Sequence, residues 1–386
     1  MPQNRSQNSK LFLLPVILAG LLFSACGGER IAFQRADAQD RPEPTPTPDR
    51  TDTITIAAVG DIMLASPYPN DTRMPPHDGA GMLDAVTPVL SSADITFGNM
   101  EGPIIDGGTS EKCKPPKPPP PGKKPEPIRC FAFRMPTRYA RYLKEAGFDV
   151  MSLANNHASD FGAPGRSSTR KTLDDMGIKH AGSDRYRFPT TYLEAKGRKI
   201  AFIGFAHNSI SPNVNELTAA RRLVSQAAKN ADIVVVSFHG GAEGIAHQHV
   251  PRATELYAGE KRGNLPLFAH TVIDAGADLV LGHGPHVLRG MEIYKGRLIA
   301  YSLGNFATYG WFKLEDATAL TAVLEINLAP DGRFIDGKLH AGLQERGGIP
   351  VLDPSGAAVK KIRSLSEIDF RSTAPRITDD GTVSPG

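Results

Sequence analysis

The feature that most constrains this chain is a recurrence: short apolar, β-branched runs that each break off into glycine, asparagine, an acid or histidine. Ile54 to Val59 runs into Gly60-Asp61, Ile95 to Phe97 into Gly98-Asn99-Met100-Glu101, and Val150 to Leu153 into Ala154-Asn155-Asn156-His157. Ile233 to Phe238 leads to His239-Gly240-Gly241, and Leu279 to Leu281 leads to Gly282-His283-Gly284-Pro285-His286. Runs this short and this rich in Ile, Val and Leu read as buried strands. Lys199 to Phe205, Leu298 to Ser302 and Leu320 to Leu328 read the same way, which is enough for two sheets. Segments of helical character lie between them: Met82 to Leu90, Thr137 to Ala146, Ser167 to Met176, Ala219 to Lys229, and Asn264 to Ala275 with Gly276 placed for a C-cap. The alternation predicts an α/β fold.

In open α/β sheets, ligands bind outside the carboxyl ends of the strands, and that is where the polar residues fall. Asp61, Glu101, Asn156, His239, His283 and His286 make a mixed nitrogen and oxygen donor set. Such a set suits Zn, Mn or Fe rather than a thiolate-held metal, and one or two ions could share it. Asp61 follows an apolar strand, where a carboxylate without a partner is costly; its bland reading is a helix cap. Glu101 reads as a bridging ligand or base, or as the ion-pair partner of Arg134. His283 and His286 flank Pro285, which stiffens their separation, with glycines on either side of His283 for tight turns. His157 precedes Asp160, which could orient its ring for proton transfer to a leaving group. Asn99, Asn155, Glu243 and Asn305 are placed to line the same cleft, whereas His247 and His249 follow no strand and read as loop residues.

The ends of the chain read differently. Arg5 and Lys10 precede an apolar run from Leu11 to Phe23, a signal-peptide core too short to span a membrane comfortably. It closes on Ser24-Ala25-Cys26-Gly27, which resembles a bacterial lipobox with Cys26 as the lipidated residue. Residues 1–25 are therefore expected to be a signal peptide. Residues 26–52, with Pro42-Glu43-Pro44-Thr45-Pro46-Thr47-Pro48, are expected to form a semi-rigid spacer. The folded domain is expected over 53–371 and a disordered tail over 372–386. A Lys/Pro-rich surface loop spans 112–130, because proline lacks the amide donor that helix or central strand needs. Cys113 and Cys130 flank it and read as a disulfide in an exported chain. The loop's lysines could meet an anionic polymer, or simply be solvated. Lys and Arg total 44 against 41 Asp and Glu, too balanced to point to nucleic acid.

Six ordered motifs together resemble the CapA family of bacterial capsule and poly-γ-glutamate synthesis proteins, whose domain is related in fold to calcineurin-like metallophosphatases. They are Val59-Gly60-Asp61-Ile62-Met63-Leu64, Gly98-Asn99-Met100-Glu101, Ser152-Leu153-Ala154-Asn155-Asn156-His157 with Asp160 and Gly162, His239 to Glu243, Gly282 to Leu288, and Tyr301 to Phe306. The resemblance implies a four-layer αββα sandwich. It also implies a metal centre ringed by Asp61, Glu101, Asn156, His239, His283 and His286, with His157 as proton donor. Met63 stands where the metallophosphatase motif usually has a histidine, which puts a second ion in doubt. Gly284 and Gly240 replace a histidine and an aromatic, and are expected to open space in the cleft. The implied biology is capsule or exopolymer synthesis. The expected partners are an anionic exopolymer or phosphoester, the membrane reached by a lipid anchor, and membrane proteins of capsule synthesis. The expected location is the bacterial cell membrane or outer membrane, facing periplasm or exterior. The alternative is a non-catalytic accessory that binds polymer for assembly or anchoring.

Overall fold

The apolar runs do become strands, and the computed structural model describes them within residues 52–110, 112–113 and 131–386. In chain order the first strands are β1 (Ile54–Met63), β2 (Ile95–Met100), β3 (Val150–Ser152), β4 (Lys179–Ala181), β5 (Thr190–Ala195) and β6 (Arg198–Ala206). Then come β7 (Ile233–His239), β8 (Glu255–Tyr257), β9 (Glu260–Gly263), β10 (Leu279–His283), β11 (Met291–Tyr294) and β12 (Arg297–Ala300). The last are β13 (Asn305–Thr308), β14 (Leu320–Leu328), β15 (Phe334–Glu345), β16 (Ile349–Leu352), β17 (Arg376–Ile377) and β18 (Thr382–Ser384). The helices are α1 (Thr87–Leu90), α2 (Ala140–Glu145), α3 (Gly162–Asp175), α4 (Leu217–Ala228), α5 (Leu265–Ile273) and α6 (Ala357–Phe370).

Two mixed sheets result. One runs β17-β18-β15-β14-β1-β2-β3-β4, with β13 on β1 and β16 on β15; the other runs β11-β12-β10-β7-β6-β5. Ile56, Phe97, Phe202, Val235 and Leu281 meet in a buried cluster between them. A second cluster joins the outer face of the first sheet to α2 through Val59, Met151 and Leu143. A third joins the outer face of the second sheet to α4 and α5 through Val236, Val224 and Phe268. Helices, sheet, sheet and helices make four layers, the αββα arrangement expected. Apolar side chains on both faces explain why the central strands read as continuous hydrophobic runs.

Three expectations change. The helix expected over Met82 to Leu90 is confined to α1, because Pro88 fits only a first turn and the glycines at 79 and 81 hold φ of +80° and +77° just before. Residues 372–386 are not disordered. There β18 pairs with β15 and with β17, since Ile377 and Val383 are apolar enough to be buried. The folded domain therefore continues to Gly386. Strand β15 and helix α6 lie outside the expected set, β15 because its outward positions are half-exposed and polar. Cys113 is disulfide-bonded; Cys130, Cys26, the signal peptide, the spacer to residue 51 and most of the Lys/Pro-rich loop lie outside the described residues. No described helix is long and apolar enough to cross a membrane.

Candidate metal centre

Backbone register brings the candidates together. Asp61 sits inside β1 where the ladder to each neighbour slips, opposite Asn99 of β2 and Asn305 of β13. Gly60 permits this: a Cβ there would lie 2.1 Å from the Gly304 carbonyl oxygen, so β1 can pass that turn only without a side chain, and the Asp61 amide donates to the same oxygen at 2.9 Å. Glu101 directly follows β2, and His239 ends β7. His286 takes a left-handed backbone, φ +59°, after the turn through Gly284 and Pro285.

Asp61, Glu101 and His286 each offer a ligand atom within 4.8 Å of the others, all buried. The Nε2 atoms of His286, His239 and His157 lie 3.7, 3.8 and 4.0 Å from the same oxygen, Oε1 of Glu101. These separations are too long for hydrogen bonds and somewhat wider than the roughly 3.3–3.6 Å between tetrahedral ligand atoms on bonds of about 2.0–2.2 Å, so they leave room for an ion. Both oxygens of Glu101, Oδ1 of Asn156 and Nε2 of His239 are buried without a hydrogen-bond partner, and Oδ2 of Asp61 lies 3.1 Å from His286 Nδ1. Orphaned buried acceptors are rare and costly, so those of Glu101 and His239, 3.8 Å apart, fit a cation, and Asn156 lines the same cleft. The amides complete the frame. Asn99 donates to Asp61 Oδ1 at 2.7 Å, Asn155 donates to the Met100 carbonyl at 2.9 Å, and Asn305 Oδ1 lies 3.0 Å from His286 Nδ1.

Charge follows burial. Loss of water raises the Glu101 pKa well above its ordinary value; His286 opposes this while Asp61 and Glu243 add to it. Burial pulls the other way on His286, but Glu101 and Asp61 outweigh it and push that imidazole up to about 10. Burial, with His207 and His286 nearby, lowers His239 well below its ordinary value. His157 is likewise lowered by burial, with Asp160 opposing. Its Nδ1 is 2.7 Å from Asp160 Oδ2, and its ring stacks on Phe133 at 3.8 Å between centroids. Above the ligands lies a cleft of 590 Å³ walled by Phe133, Trp311, Phe312 and Tyr257 and rimmed by Lys112 and Arg262.

His283 has its Nε2 3.1 Å from the Val59 carbonyl oxygen and its ring 5.7 Å from Phe97, while its Nδ1 is buried without a hydrogen-bond partner, the arrangement a metal-ligating histidine has when its other ring nitrogen meets a carbonyl. Gly240 and Gly284 do not open the cleft. A Cβ on Gly240 would lie 2.6 Å from the Arg262 carbonyl oxygen, and one on Gly284 2.8 Å from that of Gly240; backbone from neighbouring turns fills the space. Arg134 donates to the Pro67 carbonyl rather than pairing with Glu101. Glu243 lines the cleft and pairs with Arg262 at 2.8 Å. Sequence reasoning missed Lys112 as a partner of Asp160, at 3.4 Å, and missed the aromatic wall; neither lies at a strand end.

The chain is 28% identical over 350 residues to the PGA biosynthesis protein CapA of Bacillus subtilis (strain 168), covering 86% of this chain and 80% of that one. It is 29% identical over 316 residues to the capsule biosynthesis protein CapA of Bacillus anthracis, covering 77% and 69%. Among solved structures, a hypothetical protein from Thermus thermophilus aligns with a TM-score of 0.45 at 17% identity, over 75% of this chain and 98% of that one. A putative 5'-nucleotidase from Staphylococcus aureus aligns with a TM-score of 0.40 at 13% identity, over 78% and 54%. The family model for the bacterial capsule synthesis protein PGA_cap matches residues 55–309, two thirds of the sequence and every strand that carries a ligand, and the chain belongs to that family.

Proposed function

We propose that this protein is a metal-dependent hydrolase of capsule or poly-γ-glutamate synthesis, acting outside the cytoplasm from a lipid anchor at Cys26. The observation that carries the hydrolytic reading is the buried Asp61, Glu101 and His286 group beside unpartnered buried ligand atoms on Glu101, Asn156 and His239. Those five residues would hold one or two divalent ions. Zn, Mn or Fe bound there would polarise a substrate oxygen and lower the pKa of water. The chain's own residues do the rest. His157, oriented by Asp160, points Nε2 toward Glu101 and lines the cleft, where it can pass a proton to a leaving group. Phe133 fixes the plane of that ring, and the aromatic wall shields the site from bulk water.

The accessory reading, in which the cleft binds polymer without cutting it, is favoured by Met63, buried in β1 at the position of a usual histidine ligand. The two separate on assay of the purified chain with phosphoesters and γ-glutamyl polymers, with Zn, Mn or Fe added. The hydrolase reading predicts turnover that needs added ion, is lost in His286→Ala, and drops by about 10²–10⁴ in His157→Ala with metal content retained. Polymer bound but never cut, by wild type and variants alike, would establish the accessory role instead.

A further inference from the structure

His157 and Asp160 are gripped from two sides by the chain that flanks residues 114–130. Before that stretch, Ser110 is buried and its hydroxyl donates to the Asp160 carbonyl at 2.9 Å, while the Cys113 amide donates to the Ser110 hydroxyl oxygen at 3.1 Å. Between them Lys112 turns its ammonium onto the pair, 3.4 Å from Asp160 Oδ1 and 3.3 Å from His157 Nδ1. Cys113 is disulfide-bonded, which ties down the residue next to Lys112. After the stretch, the Phe133 amide donates to Asp160 Oδ2 at 2.8 Å, and the Phe133 ring stacks on the imidazole.

The two carboxylate oxygens of Asp160 are unequally served. Oδ2 meets the Phe133 amide and His157 Nδ1, at 2.8 and 2.7 Å. Oδ1 is buried with no hydrogen bond and faces only the Lys112 ammonium at 3.4 Å, among the described residues. Asp160 is 1% exposed, so its charge depends on these neighbours rather than on water. Taking one partner from a buried ion pair leaves the other charge uncompensated. A carboxylate left so gains by turning toward the water of the cleft, and that turn draws Oδ2 off the ring it orients. The Lys112 side chain itself is 39% exposed and lines the cleft, so replacing it disturbs little packing.

We propose that Lys112 is a positioning residue for the proton donor: paired with Asp160 Oδ1, it keeps Oδ2 on His157 Nδ1 and so keeps Nε2 turned toward Glu101. Its effect on turnover rests on the hydrolase reading above; its effect on the ring does not. The test compares the whole chain as wild type, Lys112→Met and Lys112→Arg. The first readout needs no substrate: the NMR signal of the His157 Nδ1 proton in zinc-loaded protein, assigned by its loss in His157→Ala. The second is phosphoester turnover, with metal content measured alongside. The proposal expects the proton signal in wild type and Lys112→Arg and its loss in Lys112→Met. It expects kcat to fall about 10–100-fold in Lys112→Met, as when a histidine loses an orienting partner, with KM and metal content unchanged and most of the rate recovered in Lys112→Arg. A signal unchanged in Lys112→Met, absent from wild type, or lost equally in Lys112→Arg would overturn the proposal. So would an unchanged kcat with a raised KM, which would make Lys112 a substrate contact instead. A Lys112-dependent signal in a protein that hydrolyses nothing would sink the hydrolase reading and leave the positioning role standing.

Discussion

At the scale of single residues, the site depends as much on what is missing as on what is present. Gly60 is the clearest case, since a methyl group there would press on the Gly304 and Leu303 carbonyl oxygens at 2.1 and 2.6 Å. Gly60→Ala must push β1 off that turn, at an overpacking cost of about 1–3 kcal/mol, and move Asp61 with it. Urea unfolding should show the lost stability, and metal titration should show weaker binding; an unaltered metal affinity would mean that Asp61 is not held by this contact. The candidate ligands were legible in the sequence because acids and histidines at strand ends are chemically distinctive. His283 was legible as a candidate, but nothing in Gly-His-Gly-Pro-His says that its Nε2 meets the Val59 carbonyl and its Nδ1 is left unpartnered. Gly240 and Gly284 were misread for a related reason: one sequence cannot show which backbone segment passes close by.

At the scale of elements, two features outside the site govern stability. Asp278, just before β10, accepts from the Val234 amide at 2.8 Å and pairs with Arg297 at 3.1 Å, yet burial outweighs both and raises its pKa from 3.8 to about 6. A carboxyl raised on folding contributes stability that is full below its unfolded pKa and is lost as pH rises through its folded one. The unfolding free energy should therefore fall between pH 4 and pH 7 by up to about 3 kcal/mol from this group. Asp278→Asn, whose amide oxygen can still accept from Val234, should remove that slope; equal slopes in both proteins would contradict it. The second feature is the β17–β18 pair, where Val383 is fully buried and Ile377 nearly so. Deleting residues 372–386 should cost about 3–6 kcal/mol for those two side chains, read as a lower urea midpoint. The hairpin, β15 and α6 escaped the sequence reading because each is half-polar and takes its apolar partners from across the fold, whereas the central strands are apolar on both faces and declare themselves.

At the scale of the whole molecule, the four layers exist to hold buried acids and imidazoles from both sheets at one point. β1 and β2 supply Asp61 and lead to Glu101, while β7 and the turn after β10 supply His239 and His286. Closing the two sheets on each other without a cation leaves both oxygens of Glu101 stranded, so a bound ion should stabilise the entire domain and not just a loop. Ligand at a hundredfold its Kd adds about 2.7 kcal/mol. The most direct measurement is thermal unfolding of metal-stripped protein with and without added Zn, Mn or Fe, on wild type and on Glu101→Gln, alongside direct metal analysis. The account predicts bound metal and a rise of about 2–4 °C or more for a domain of this size in wild type, with both lost in Glu101→Gln. Wild type that binds none of these ions, or a Glu101→Gln variant stabilised as much as wild type, would contradict it.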